Sequence, residues 1–112
     1  MRVSAMSFTD VCSVSDVPSD AGLRIDAGPE AVAVFKIDGD FYAIEDKCPH
    51  GDWSLSDGYL DDGLIECSLH MAKFCVKTGK VCAPPAIRDV KVFPIKVVGD
   101  RVLIDLEPEA GI

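Results

Sequence analysis

Two short pairs of metal-binding residue types stand out in this sequence. One residue separates Cys48 from His50, two residues separate Cys67 from His70, and sixteen residues lie between the pairs. Each pair combines a soft thiolate with a neutral nitrogen donor, and these two histidines are the only ones in the chain. Four such ligands suit either a tetrahedral zinc ion or a 2Fe–2S cluster in which two histidines replace two cysteines on one iron.

A purely structural role is the alternative for each residue taken alone. A buried cysteine usually packs as a small apolar side chain, and a single histidine is usually a hydrogen-bonded core or surface residue. That account does not explain why both histidines fall beside cysteines. Five cysteines in a chain that starts without an evident signal peptide also point to metal or redox chemistry before disulfides. The spacing therefore predicts a metal centre.

The two pairs belong to a longer pattern that resembles a known family. In order, the pattern consists of Cys-Pro-His-Gly at 48–51, Cys-Ser-Leu-His at 67–70, Phe74, Thr-Gly-Lys at 78–80, and two prolines at 84–85. It resembles the two cluster-binding loops and the proline loop of Rieske proteins. More narrowly, nearly the whole chain resembles the small Rieske-type ferredoxins that serve bacterial aromatic-ring dioxygenases.

The resemblance implies one 2Fe–2S cluster per chain, held by the thiolates of Cys48 and Cys67 and the imidazoles of His50 and His70. Because neutral imidazoles replace two thiolates, such a centre is less negative and easier to reduce than an all-cysteine cluster. The iron bound by the histidines is expected to take the electron. In the family this iron lies near the surface, so His50 and His70 would also be the route by which the electron leaves.

Two sets of neighbouring residues follow from the same resemblance. The set expected to surround the cluster is Pro49, Gly51, Trp53, Leu69, Ala72, Phe74, Pro84 and Pro85. The set expected to touch redox partners is His50, Trp53, His70, Met71 and Pro84. The apolar members of these sets can both shield the cluster from water and form a docking patch around the histidines. Such a patch can be small, since transient redox interfaces bury less than about 1,200 Å².

Departures from the wider family predict a low reduction potential. Trp53 and Leu69 stand where respiratory Rieske proteins carry two further cysteines, so the disulfide between their loops cannot form here. Ala72 and Phe74 stand where those proteins place hydroxyl groups near the sulfurs, and neither offers an O–H donor. Fewer hydrogen bonds to sulfur stabilise the reduced state less, which predicts a potential near the negative end of the roughly −150 to +300 mV range. Met71 replaces the glycine usual after the second histidine, and we expect it on the docking surface.

Three cysteines remain outside the two pairs. Cys12, Cys75 and Cys82 are expected to be structural, and Cys75 and Cys82 to pack as small apolar side chains in strands. A disulfide between Cys75 and Cys82 is disfavoured in a reducing compartment, and a ligand role for Cys75 is disfavoured because the two pairs already supply four ligands.

Length and charge limit the remaining possibilities. The 112 residues predict a single domain, 1–112, and the sequence has no long apolar run that would span a membrane. A net charge of −8 argues against nucleic acid or an anionic membrane as a partner. We expect a cytoplasmic protein, with Asp57, Asp61 and Asp62 as a candidate group for steering partners.

The apolar pattern predicts an all-β fold of antiparallel sheets, with a cluster-binding subdomain at about 46–85 inserted at one tip. Two hairpins are predicted, at 31–37 with 41–44 and at 90–98 with 101–106, and Pro94 indicates an edge or a bulge in the second. Shorter strands are predicted at 7–10, 23–27, 58–61, 63–67 and 74–77, and a helical turn within 10–20.

The resemblance implies an electron carrier that has no catalytic site of its own. It would pass single electrons from a flavin-dependent NAD(P)H reductase to the terminal oxygenase of an aromatic-ring dioxygenase system, most simply as a monomer. The alternatives are a Rieske-like small subunit of an NADH-dependent nitrite reductase and, more weakly, a structural zinc module. A Rieske oxygenase is excluded because its mononuclear iron needs two more histidines.

Overall fold

The computed structural model describes residues 7–49, 53–67, 72–83 and 88–107. These ranges contain two 3-10 helices, Val14–Asp16 and Leu55–Asp57, and eleven β-strands. The strands are β1 Phe8–Ser13, β2 Leu23–Ile25, β3 Val32–Ile37, β4 Asp40–Glu45, β5 Tyr59–Asp61, β6 Leu64–Glu66, β7 Lys73–Cys75, β8 Val81–Ala83, β9 Val92–Phe93, β10 Ile95–Val98 and β11 Arg101–Asp105.

The strands form three antiparallel sheets, so the predicted all-β architecture is confirmed. The first sheet has the order β1-β11-β10, the second β2-β3-β4-β9, and the third β5-β6-β7-β8. The third sheet and the loops that flank it correspond to the predicted cluster-binding part of the chain. Within the described ranges, no helix is long and apolar enough to cross a membrane.

The hairpin β3–β4 is the central layer because both of its faces are buried. Side chains alternate between the two faces of a strand. Val32 and Val34 on β3 pack in one cluster with residues of the first sheet, whereas Ala33 and Phe35 pack in a second cluster with residues of the third sheet. All four are fully buried. The hairpin therefore lies between the first sheet and the third sheet.

The first predicted hairpin is confirmed, and its turn explains its register. Asp38 and Gly39 have φ values of 53° and 85°, the left-handed conformations that a tight two-residue hairpin turn requires. Ile37 consequently pairs with Asp40, and the pairing continues regularly to Val32 opposite Glu45.

The second predicted hairpin is wrong in its first arm. The run 90–98 is two strands in two different sheets: β9 pairs with β4, and β10 pairs with β11. Pro94 separates them because it has no N–H to donate to a ladder. Its carbonyl oxygen still accepts a hydrogen bond of 3.0 Å from the N–H of Asp105.

The shorter strands agree with the predictions to within a few residues, and the helical turn within 10–20 is the 3-10 helix Val14–Asp16. That helix begins with a capping box, in which the Ser13 side chain accepts from the N–H of Ser15 and the Asp16 carboxylate accepts from the N–H of Ser13. Cys82 was expected in a strand and lies in β8, although no bounds were predicted for that strand, and the 3-10 helix Leu55–Asp57 was not predicted.

Candidate metal centre

Two six-residue loops with the same closure carry the predicted cysteine ligands. In the first loop, residues 48–53, the N–H of Cys48 donates to the carbonyl of Trp53 at 2.8 Å. In the second loop, residues 67–72, the N–H of Cys67 donates to the carbonyl of Ala72, also at 2.8 Å. An isolated β-bridge between Lys47 and Ser54 precedes the first closure, and the β6–β7 pairing precedes the second. Each cysteine is thus the first residue of a six-residue loop whose ends are joined by a backbone hydrogen bond.

The structure buries both cysteines in one place. Cys48 and Cys67 are fully buried and belong to the same cluster of buried side chains, together with Leu55, Ala72 and Phe74. None of the five cysteines forms a disulfide. Two thiols are therefore available at the start of the two loops, in surroundings that exclude water.

The structure describes only some of the other residues that the sequence predicts around the cluster and at the docking surface. Trp53 is 40% exposed, Pro49 is half-buried, and Ala72 and Phe74 are fully buried. The predicted positions that lie outside the described residues are His50, Gly51, Leu69, His70, Met71, Pro84 and Pro85. With both histidines outside, the described part of the chain holds no group of three or more His, Cys, Asp or Glu side chains placed to bind a metal ion.

The three other cysteines have different environments. Cys12 is buried, and this burial raises the pKa of its thiol. Cys75 is half-buried, and a hydrogen bond from Thr78 lowers the pKa of its thiol. Cys82 is exposed, so the prediction that it packs as a small apolar side chain is wrong. The reason is a register shift, because Phe74 pairs with Val81 and Lys73 pairs with Ala83, which leaves Cys82 at a bulge.

A buried carboxylate that the sequence analysis missed holds the first loop from its base. Oδ1 of Asp46 accepts a hydrogen bond of 2.9 Å from the N–H of Ser56, and the Asp46 carbonyl accepts one of 2.6 Å from the N–H of Leu55. Oδ2 of Asp46 lies 3.8 Å from Nη1 of Arg24. The same nitrogen of Arg24 donates to the Ser54 hydroxyl at 3.0 Å, so two residues anchor the end of the loop.

The preceding residue, Glu45, is also buried and contacts a different segment. Its Oε1 and Oε2 accept hydrogen bonds of 3.2 and 2.9 Å from Nη1 and Nη2 of Arg88, and Oε1 accepts a third, of 2.9 Å, from the N–H of Lys91. Burial alone would raise the pKa of Glu45, but the hydrogen bonds from Arg88 and Lys91 outweigh it and lower the pKa. The sequence signal for these two buried carboxylates was their position. They form an acidic pair that directly follows the apolar run 42–44 and precedes Lys47-Cys48.

The three candidate steering carboxylates do not lie together at the loops. Asp57 is on the 3-10 helix that follows the first loop, whereas Asp61 ends β5 and Asp62 lies in the β5–β6 turn. Cys67 follows the other end of β6, so this turn and the second loop lie at opposite ends of the strand.

Comparison with known proteins decides the family. A family model described as the Rieske [2Fe-2S] domain matches residues 7–94. The chain belongs to this family. A Rieske domain binds a 2Fe–2S cluster, so the predicted cofactor is confirmed. The Rieske domain of this chain has sulfur donors that fit that cofactor, because two buried cysteines open two loops of equal length and closure.

Full-length relatives of this Rieske domain include ferredoxin components of dioxygenases. The chain is 50% identical over 106 residues to the biphenyl dioxygenase ferredoxin subunit of Pseudomonas sp. (strain KKS102), covering 94% of this chain and 97% of the relative. A solved complex of reduced oxygenase and oxidized ferredoxin in carbazole 1,9a-dioxygenase contains a chain with a TM-score of 0.85 and 34% identity, covering 95% of this chain and 99% of that one.

One structural neighbour bears on the nitrite reductase alternative. A Mycobacterium tuberculosis protein named as an NADH-dependent nitrite reductase small subunit has a TM-score of 0.78 and 21% identity, covering 89% of this chain and 95% of that one. At this identity the likeness shows the shared fold alone.

Proposed function

We propose that this chain is the ferredoxin of an aromatic-ring-hydroxylating dioxygenase system. It would take single electrons from a flavin-dependent NAD(P)H reductase and deliver them to the terminal oxygenase. The observation that carries the proposal is the likeness to a dioxygenase ferredoxin subunit at 50% identity over 97% of that protein's length. Because the match extends over a whole ferredoxin component, the chain corresponds to the carrier and not to a domain of an oxygenase.

The proposed ligands are the thiolates of Cys48 and Cys67 and the imidazoles of His50 and His70. The equal closure of the two loops and the full burial of both cysteines support this set. The sequence has no other histidine that could complete a Rieske centre. The family match also makes a structural zinc module the weaker interpretation.

A low reduction potential is part of the proposal. A bound Rieske cluster stores one electron at a time, and hydrogen bonds to its sulfur atoms raise its potential. The positions from which the wider family supplies hydroxyl groups are here Ala72 and Phe74, both fully buried and without an O–H donor. These residues exclude water from the site without stabilising the additional negative charge of the reduced state.

Partner docking is proposed at the tip formed by the two loops. Trp53 closes the first loop through its backbone carbonyl and leaves 40% of its surface exposed, which suits a small interface that must form and dissociate quickly. We further propose that the protein works as a monomer in the cytoplasm, since a carrier alternates between two partners.

The nitrite reductase alternative has weaker support. The relatives at about 50% identity are named as dioxygenase ferredoxins, whereas the nitrite reductase neighbour shares only the fold. Stable co-purification with a large reductase subunit would favour the alternative.

The test is to load the purified protein anaerobically and to measure iron, sulfide, the EPR spectrum of the reduced state and the reduction potential. We expect a reduced-state spectrum of the nitrogen-ligated type and electron transfer to an aromatic-ring dioxygenase. His50→Ala should lose the cluster, and His70→Cys should lower the potential. Cys82→Ser is the matched control, because Cys82 is exposed and lies outside the proposed ligand set. Stoichiometric zinc in a colourless protein would refute the cluster. An EPR spectrum identical to that of the parent protein in either histidine variant would refute the ligand assignment.

A further inference from the structure

An ion pair joins the strand that leads into the first loop to the chain that follows the proline segment. Glu45 ends β4, three residues before Cys48, and Arg88 directly follows residues 84–87. Nη1 and Nη2 of Arg88 donate to Oε1 and Oε2 of Glu45 at 3.2 and 2.9 Å. Such a two-pronged contact fixes orientation as well as distance, because both groups are planar and matched in width.

The backbone strengthens this connection at the same carboxylate. Oε1 of Glu45 also accepts from the N–H of Lys91, and the N–H of Glu45 donates to the carbonyl of Lys91, each at 2.9 Å. Nη1 of Arg88 donates a further hydrogen bond of 2.9 Å to the carbonyl of Asp89. The segment 88–91 is therefore held at several points against the end of β4.

The pair lies close to the proposed ligand Cys48, because Glu45 precedes it by only three residues and both are buried. The Glu45 side chain is 7% exposed and that of Arg88 is 52% exposed, so solvent screens the carboxylate less than the guanidinium. The pKa of Arg88 is raised, mainly by its hydrogen bond to Glu45, and the Cys48 sulfur makes a smaller contribution in the same direction.

We propose that Glu45 and Arg88 are positioning residues for the Rieske cluster, which hold the segment 88–91 against the end of β4 and set the balance of charge beside Cys48. The proposal rests on the proposed ligand role of Cys48. Reduction adds one negative charge to the cluster, so a nearby positive charge favours the reduced state and a nearby negative charge disfavours it.

The two members of the pair therefore have opposite effects on the potential. Glu45→Gln removes a negative charge while keeping an oxygen that can accept from Arg88, so the potential should rise. Arg88→Gln removes the positive charge and leaves the buried carboxylate, so the potential should fall. The double variant removes both charges and should return close to the parent value. A purely structural role would not produce shifts of opposite sign.

The experiment compares these three variants with Arg88→Lys and Arg101→Gln, all loaded with the cluster. Arg101 is the control, because its guanidinium also makes a two-pronged pair, with Asp10 between β11 and β1, and its side chain is about as exposed as that of Arg88. The Asp10 carboxylate is 49% exposed, so the control pair lies at the surface and far from the cysteine loops in the sheet order. Protein-film voltammetry gives the potential, and the fading of the visible absorption in the presence of an iron chelator gives the rate of cluster loss. We expect Arg88→Gln to lose its cluster several-fold faster than Arg101→Gln, and Arg88→Lys to keep the parent potential.

Shifts of the same sign in Glu45→Gln and Arg88→Gln, or no shift beyond that of Arg101→Gln, would overturn the inference. Such a result in a protein that still shows the nitrogen-ligated spectrum would leave the proposed function intact. A parent protein that binds no iron would instead refute the proposed function itself.

Discussion

The carboxylate of Asp46 accepts a hydrogen bond of 2.9 Å from the backbone N–H of Ser56, across the base of the first loop. The carbonyl of Asp46 accepts another from the N–H of Leu55, so one residue holds the chain where it leaves the loop. The Asp46 side chain is 2% exposed, which makes this a bond between buried groups. The protein itself, and not the cluster alone, thus fixes the spacing between the two ends of the loop.

Replacing Asp46 should therefore loosen the cluster. Asp46→Ala leaves the N–H of Ser56 without its acceptor, a loss of about 1–3 kcal/mol for a buried group. Asp46→Asn keeps an acceptor and should cost less. Urea unfolding gives the change in stability, and absorption in the presence of a chelator gives the rate of cluster loss, which should be several-fold faster for Asp46→Ala.

Asp105→Ala is the control for this prediction. Asp105 is also a buried carboxylate that accepts a backbone N–H bond, from Glu107, but it lies on β11 in the first sheet. The Asp105→Ala substitution should lower the free energy of unfolding, but it should not speed the loss of the cluster as Asp46→Ala does. Equal rates of cluster loss in Asp46→Ala and Asp105→Ala would contradict a specific role for Asp46.

Local sequence signals predicted the parts of this fold that depend on neighbouring residues. The β3–β4 hairpin was predictable because Asp38-Gly39 supplies both left-handed positions of its turn. Pro94 was recognised as an irregularity, but that it separates two sheets depends on β4, about fifty residues earlier in the chain. The contact between Glu45 and Arg88 spans 43 residues, and no periodicity along the chain reports on such a pair.

Gly79→Ala should destabilise the third sheet more than a matched glycine substitution. Gly79 has φ +75°, and a Cβ there would collide with the carbonyl oxygen of Val90, whose N–H donates to the carbonyl of Gly79 at 2.8 Å. Gly63, at φ +79°, has open space around its Cβ position. Gly63→Ala should cost ~1–2 kcal/mol for the left-handed backbone, and Gly79→Ala about 1–3 kcal/mol more for the collision.

Thermal and urea unfolding of the two glycine variants measure this difference. Equal destabilisation would mean that the segment at Val90 moves away freely. That result would contradict a close approach between the β7–β8 turn and the chain after the proline segment.

Of the three cysteines outside the proposed ligand set, Cys75 should have the thiol whose labelling rate rises at the lowest pH. A hydrogen bond from Thr78 lowers the pKa of Cys75 from that of an ordinary thiol, so a larger fraction of it is thiolate at pH 8. Burial raises the pKa of Cys12, which should react slowly at this pH. Iodoacetamide labelling followed by peptide mass spectrometry, repeated from pH 6 to 9, gives each rate.

Thr78→Val tests the cause of this reactivity. Loss of the hydroxyl should raise the pKa of Cys75, so its labelling profile should move to higher pH. Thr9→Val, on an exposed position of β1, is the control and should leave the profile in place. An unchanged profile in Thr78→Val would show that another group stabilises the thiolate.

Trp53→Ala should slow electron transfer to the oxygenase without changing the reduction potential. The side chain is 40% exposed beside the first loop, and truncating an aromatic residue at the centre of an interface typically costs more than about 1 kcal/mol, which is about fivefold in affinity. The backbone bond between Cys48 and Trp53 survives the substitution, so the loop keeps its closure. Stopped-flow reduction of the oxygenase measures the second-order rate constant.

Val98→Ala, an exposed apolar position at the end of β10, is the control and should keep the parent rate. A Trp53→Ala variant with an unchanged rate, or with a shifted potential that accounts for the slower transfer, would exclude Trp53 as a docking residue.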